Sequence, residues 1–396
     1  MQLSSLLDRF SEPETLKMAK LGRELRAKGI DVIDLSLGEP DFDTPQHIKD
    51  AAIKAIQDNF SHYTPVSGYA DLREAICTKL KRDNNLDYKP ENIITSTGAK
   101  QSLANTILAL CDEGDEVIIP TPYWVTYSEL VKIARATVVE VHTSLESGFK
   151  ITPAQLEAAI TPQSKLFLFS SPCNPSGAVY SKEELEGLAV VFRKYPGLYI
   201  ISDEIYEYIN FVGKHESIAQ FSDLKDRVTI INGLSKGFAM TGWRLGYIAA
   251  NTDIVKACEK LQGQFTSGTC SITQKAAVVA LTTDLKPSLE MTEEFTRRRA
   301  RVMELIKDIP GFKCSVPEGA FYIFPDVSYY YGKSDGVITI TNSADFSMYL
   351  LNTANVSSVM GEAFGDPICV RFSFANSMTN IERAWVRIKE ALGKLK

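Results

Sequence analysis

Cysteine is sparse and unpatterned in this chain. Its seven copies, Cys77, Cys111, Cys173, Cys258, Cys270, Cys314 and Cys369, are odd in number and never spaced as CxxC. Neither a disulfide framework nor a thiolate zinc site is expected, and a reducing compartment fits. Histidine is scarcer still. His47, His62, His142 and His215 are dispersed, with no HExxH to set two imidazoles on one helix face, so no metal is expected. The first ten residues lack a basic stretch followed by an apolar one, and no run approaches the ~18 apolar residues of a membrane span, which reads as a cytosolic chain. Positive charge is not in excess either. With 43 Lys and Arg against 49 Asp and Glu, the net charge of −6 argues against a polyanion-binding surface. The one basic cluster, at 297–301, reads as a solvated helix face. Repeats, low-complexity tracts and Gly/Ser linkers are absent, so domains should pack tightly and move as a hinge. No GxGxxG follows the first strands, which weighs against a nucleotide-binding dehydrogenase.

What remains is an ordinary globular composition, 44% hydrophobic and 23% charged over 396 residues, long enough for two domains. From about residue 90, short β-branched runs alternate with amphipathic stretches, the pattern of a mostly parallel sheet covered by helices. Strands are expected at 92–96, 116–119, 165–170, 198–202 and 228–231, with helices at 101–111 and 182–194. After about 290 come a long charged helix (289–308), strands near 321–324 and 369–374, and a final helix (380–395). This second region reads as α+β.

Ligands in an open parallel sheet sit beyond the carboxyl ends of the strands, so polar residues just after apolar runs carry weight. Asn174 follows one such run between Pro172 and Pro175, where a rigid turn either aims its amide or is merely a turn. Asp203 ends the next run, with Tyr206 three residues on; an acid there is often only a helix cap. Lys236 follows a third run in an apolar, Gly-rich setting. Desolvated by Phe238, Met240 and Trp243, it would lose its proton readily and attack a carbonyl; an isolated lysine more often snorkels to solvent. Two features point to a phosphate. Gly98, Ala99 and Lys100 open a helix after a strand and offer backbone N–H groups to an anion. Ser235 and Arg244 flank Lys236 and add a hydroxyl and a guanidinium. Arg371 alternates with Val370, Phe372 and Phe374 along a strand, which puts it on the polar face: a surface residue, or a fork for a substrate carboxylate if that face looks into a cleft.

These segments closely resemble the class I/II aminotransferases of the aspartate aminotransferase superfamily. The matches are LSLGEPDFDTP at 35–45, TSTGAK at 95–100, PTPYWVTY at 120–127, SSPCNPSGAVY at 170–180, SDEIY at 202–206, GLSKGFAMTGWRLGY at 233–247 and PEGAFYIF at 317–324, in family order over essentially the whole chain. Departures are small: Cys173 at a variable site, and Ser176 where Thr is common. The resemblance implies the fold type I architecture of pyridoxal-5′-phosphate (PLP) enzymes, α/β, with a large PLP-binding domain at 46–291. A smaller α+β domain would combine 1–45, including an N-terminal arm, with 292–396. It implies that Lys236 carries the cofactor as a Schiff base and that Asp203 pairs with the pyridine nitrogen. Tyr206 and Asn174 would bond the ring oxygen, Trp124 would stack on the ring, and Gly98, Ala99, Lys100, Ser235 and Arg244 would form the phosphate cup. Arg371, with the backbone of Gly38, would clamp the substrate α-carboxylate; Trp124 and Asn174 would also touch substrate. Tyr63 would reach the phosphate of a neighbouring subunit, implying a homodimer.

The implied reaction is ping-pong, an amino acid giving up its amino group to the cofactor and a 2-oxo acid then receiving it, with the freed amine of Lys236 moving the proton. GAKQSL at 98–103 and LQGQFTSGTCSITQKA at 261–276 resemble the subgroup containing bacterial aspartate and plant-type prephenate aminotransferases. Aspartate with 2-oxoglutarate is therefore the first expectation; Thr64 and Lys100 match positions linked there to prephenate. Aromatic or alanine aminotransferases and β-lyases share the same core residues. A PLP-sensing regulator would need an added DNA-binding domain, for which there is no room before Leu35.

Overall fold

The apolar runs work as strands because each feeds two cores at once. In a computed structural model describing residues 3–396, seven strands form one sheet: β1 (Ile93–Ser96), β2 (Glu116–Pro120), β3 (Thr137–Val141), β4 (Ser164–Ser170), β5 (Tyr199–Asp203), β6 (Val228–Gly233) and β7 (Gly246–Ala249). Their order is β1-β7-β6-β5-β4-β2-β3, and only β7 runs antiparallel to its neighbours. In β4, Phe167 and Phe169 face one core while Leu166 and Leu168 face the other, and Ile200/Ile201 and Ile230/Ile231 divide in the same way. A sheet buried on both faces needs continuous apolar strands. Each of these buried side chains contributes roughly 1.5–3 kcal/mol by leaving water.

Helices cover both faces. Leu72, Ile76 and Leu80 of the helix Ala70–Asn84, with Leu185, Leu188 and Phe192 of Lys182–Lys194, pack on one. Leu103 and Ile107 of Ala99–Leu110, with Ile254 and Cys258 of Thr252–Phe265, pack on the other. Helix 182–194 starts where the sequence reading puts it, held by a capping box between Ser181 and Glu184. Helix 101–111 starts two residues earlier, at Ala99, because Gly98 is its N-cap. Two strands of this sheet escaped the reading. β3 is a half-exposed edge with little apolar continuity, and β7 opens at a glycine.

A separate core gathers Phe295 and Val302 of the helix Lys286–Lys307, Phe321 and Tyr322, Phe372 and Phe374, and Trp385 of Met378–Leu392. Ile33 and Leu35 join it from the other end of the chain, where Ile33–Asp34 pairs in parallel with Val356–Ser357. A three-stranded antiparallel sheet, Val359–Met360, Val370–Ser373 and Tyr322–Ile323, carries Arg371. The basic cluster is not a solvated face. Arg297 is exposed, but Arg298 is buried and bonds Asp41 and Glu294, while Arg299 donates to the carbonyl of Pro317 and Arg301 pairs with Glu382. Position 298 falls on the apolar stripe of its helix, in step with Met291, Phe295 and Val302, and the flanking acids neutralise it.

Candidate active site

The loops after β1, β2, β4, β5 and β6 converge at the carboxyl end of the sheet on a cavity of about 300 Å³, closed above by the helix Glu14–Ala27 and by Arg371. Lys236 sits partly covered in its wall, and its Nζ donates to the carbonyl oxygen of Gly38. Burial pushes its pKa down to about 8, with the charges of Arg371 and Arg244 acting in the same direction and Glu39 and Asp203 opposing. None of Phe238, Met240 and Trp243 lines the cavity: the first two are packed into the core of the sheet, and Trp243 lies partly buried against it.

Asp203, the last residue of β5, is buried at the cavity floor. Tyr127 donates to its Oδ2 at 2.7 Å and the Ile205 N–H to its Oδ1 at 3.2 Å, so it is more than a cap. Burial raises its pKa to about 6 despite these donors. The Tyr206 hydroxyl lies 2.8 Å from that of Tyr322. Trp124 meets Tyr127 edge to face at 5.7 Å, and Lys100 Nζ lies 5.0 Å from the indole.

Arg371 is 1% exposed, so its strand face is an interior one and not the surface. Nη1 donates to Asn174 Oδ1 at 2.9 Å and Nη2 to the Ser36 carbonyl at 2.6 Å, while the buried Nε has no partner. Tyr322 and Phe364 flank the guanidinium at 4.5 and 5.0 Å. Among the described residues no carboxylate pairs with it. A buried cation of this kind calls for an anion from outside.

At the opposite end, Gly98 takes φ 85° and leaves the first N–H groups of the helix Ala99–Leu110 without a side-chain cap. A Cβ on Gly98 would lie 2.4 Å from Arg244 Nη2, and one on Gly246 would lie 2.3 Å from the Ala99 nitrogen. Ala99, Lys100, Ser235 and Arg244 line the same cavity, a set of donors suited to an anion.

A family model, "Aminotransferase class I and II", matches residues 30–388. The chain belongs to the class I and II aminotransferases. This aminotransferase is 44% identical, over its whole length and 83% of the relative's, to the "Bifunctional aspartate aminotransferase and glutamate/aspartate-prephenate aminotransferase" of Petunia hybrida. It is 44% identical to the "Aspartate/prephenate aminotransferase" of Nitrosomonas europaea, covering 99% of this chain and 100% of that one. The aspartate aminotransferase of Rhizobium meliloti superposes with a TM-score of 0.97 at 41% identity, covering both chains completely. The aminotransferase is PLP-dependent, with the α/β architecture of fold type I. The cavity fits that cofactor: an amine of lowered pKa, a buried carboxylate, an aromatic wall and an anion cradle occupy one space.

Tyr63 lies outside it. It is 99% exposed beside a separate groove with Thr64, Gly268 and Cys270, and Thr64 is tied to Gln274. The sequence reading also missed Tyr127 and Tyr322, although both fall within matched segments, and Thr15, Leu16 and Arg23 at the cavity mouth. No motif distinguishes an amphipathic helix that closes a site from one that covers a core.

Glu204, Glu207 and His215 also escaped notice, because a loop brings them together outside the cavity, their polar atoms within 4.8 Å of one another. Lys79 is buried against Glu207, so an ammonium already supplies positive charge there. His215 Nε2 lies 3.0 Å from Glu204 Oε2. Burial opposes a charge on this imidazole, but Glu204 and Glu207 outweigh it and hold its pKa above the ordinary value. The group reads as a structural charge network.

Proposed function

We propose that this aminotransferase exchanges the amino group between aspartate and 2-oxoglutarate, yielding oxaloacetate and glutamate, with Lys236 as the attachment point of the cofactor. The observation that carries the reading is Arg371: a buried guanidinium without a carboxylate partner, lining the same cavity as a lysine of lowered pKa. An α-carboxylate placed on its fork directs Cα toward Lys236. Bound PLP supplies an aldehyde that captures the amine and a ring that withdraws electron density from Cα. With the cofactor bound, Lys236 would hold and move the proton at the substrate Cα. Asp203 holds a proton on the ring nitrogen, while Tyr206 and the Asn174 Nδ2 donate to the ring oxygen. Trp124 covers the ring face and restricts its tilt. Ser235, Arg244 and the N–H groups of Gly98, Ala99 and Lys100 hold the phosphate.

Lys100 and Arg23 at the same cavity favour a second carboxylate on the substrate, and the Thermus thermophilus aspartate aminotransferase, a structural neighbour, is described with the dicarboxylate maleate. Of the two positions linked to prephenate, Lys100 faces the cavity and Thr64 does not, so within one chain prephenate use has one supporting residue. A panel of amino donors and 2-oxo acids tests the assignment. Aspartate with 2-oxoglutarate should be the best pair; faster alanine or aromatic transfer, or release of pyruvate and ammonia, would replace it with one of the alternative readings.

We further propose a cytoplasmic homodimer in which Tyr63 serves the neighbour's phosphate. A fully exposed tyrosine beside a groove supports this; among the described residues no helix is long and apolar enough to cross a membrane. Tyr63→Phe should weaken cofactor binding roughly tenfold or more, as loss of a hydrogen bond to a charged group does. Sedimentation at micromolar concentration should give a dimer, and a fully active monomer would contradict the arrangement. Two cores draw on 46–291 alone and a third mainly on 1–45 and 292–396, with Tyr206 and Ile209 reaching into it, which supports a large domain at 46–291 that closes against the rest.

A further inference from the structure

We infer that Tyr127 is a positioning residue for the transfer, acting through Asp203. The inference rests on the role proposed for Asp203. Tyr127 lies in the first turn of the helix Thr126–Ile133 and is 1% exposed. Its hydroxyl donates to Asp203 Oδ2 at 2.7 Å, and its ring packs in the core against the strands beneath and edge to face with Trp124. The Ile205 N–H takes the other oxygen of Asp203. Each carboxylate oxygen thus has one fixed donor, which pins the carboxylate plane and leaves its remaining lone pairs for the cavity. The same tyrosine buttresses the indole proposed to cover the cofactor ring. Two groups on different sides of one bound ring are therefore set by a single side chain.

The hydroxyl also biases the proton. Burial favours the protonated form of Asp203, and Tyr127 heads the interactions that oppose it. The phenol itself is held neutral by burial and by the Asp203 charge, so it remains a donor throughout the working range of pH. Without it, Asp203 becomes the stronger base and draws the shared proton off the ring nitrogen.

Tyr127→Phe keeps the ring and the packing and removes only the hydroxyl. The measurement is the ring-nitrogen NMR shift of the protein reconstituted with ¹⁵N-labelled PLP, beside kcat and KM. Asp203→Asn provides the reference. It should move the nitrogen signal to the unprotonated position, and if it does not, the reading of Asp203 fails. Tyr127→Phe should move the signal part of the same way and lower kcat about tenfold or more, with KM for both substrates changed less than about threefold. A purely structural residue would leave the nitrogen signal where the wild type has it. If Asp203→Asn shifts the signal while Tyr127→Phe leaves signal and kcat unchanged, Tyr127 does not position Asp203.

Discussion

Lys236→Ala should lower kcat by about 10⁴-fold while the protein still binds PLP without a covalent bond. Positioned proton transfer contributes on the order of 10²–10⁴ by itself, and the variant also loses the amine proposed to carry the cofactor. The cradle around Gly98 and Arg244 is untouched, so affinity should fall much less than turnover. Lys236→Arg should not rescue, because a guanidinium does not give up its proton. In the wild type, hydride reduction followed by peptide mapping should find the cofactor on Lys236. Its loading rate should rise with pH and level off above about 8, since only the neutral amine attacks and burial brings this lysine down to about 8. Cofactor on another lysine, or a Lys236→Ala protein with a tenth of wild-type turnover, would sink the assignment.

Arg371→Ala should lower kcat/KM by roughly a hundredfold or more for every amino acid and 2-oxo acid. Removing one partner of a buried, charge-assisted pair costs on the order of 2–5 kcal/mol, at ~1.4 kcal/mol per tenfold. The truncation also leaves Asn174 Oδ1 and the Ser36 carbonyl without their donor. Arg371→Lys should recover only part of the loss, because an ammonium lacks the planar fork and stacks less well between Tyr322 and Phe364. Impairment confined to dicarboxylic substrates would instead make Arg371 the reader of the substrate side chain.

The parts of the molecule legible in advance are those whose cause is local. β4 shows itself because Leu166-Phe-Leu-Phe must satisfy two cores at once, and the helix at 182 because Ser181 and Glu184 cap each other. Asn174, Asp203 and Lys236 were legible because each ends or closely follows such a strand, and the fold carries the carboxyl ends of the parallel strands to the same side. Arg371 was half legible. Alternation placed it on the face opposite Val370 and Phe372, but whether that face meets water or a cleft depends on Ser36 and Asn174, contributed by distant segments. Arg298 misled for the same reason: of its two neutralising partners, Asp41 is 257 residues away. Tyr127 sits in a matched segment, but nothing local gives its role, since its importance comes from where Asp203 ends its strand.

The pairing of Ile33–Asp34 with Val356–Ser357 has a consequence for synthesis on the ribosome. Asp34 accepts a hydrogen bond from Ser357, 323 residues further along the chain. At roughly 5–20 residues per second, on the order of 15–65 s separate the emergence of one partner from that of the other. Throughout that interval the apolar residues Ile33 and Leu35, destined for the second core, have no partner strand, and the Ser36 carbonyl awaits Arg371. The sheet and its lysine can form early, but the proposed substrate clamp closes only after Arg371 has emerged to meet the Ser36 carbonyl. Newly made chains should therefore pass through a stage able to hold cofactor and unable to turn over, with an unprotected amino-terminal strand open to chaperones.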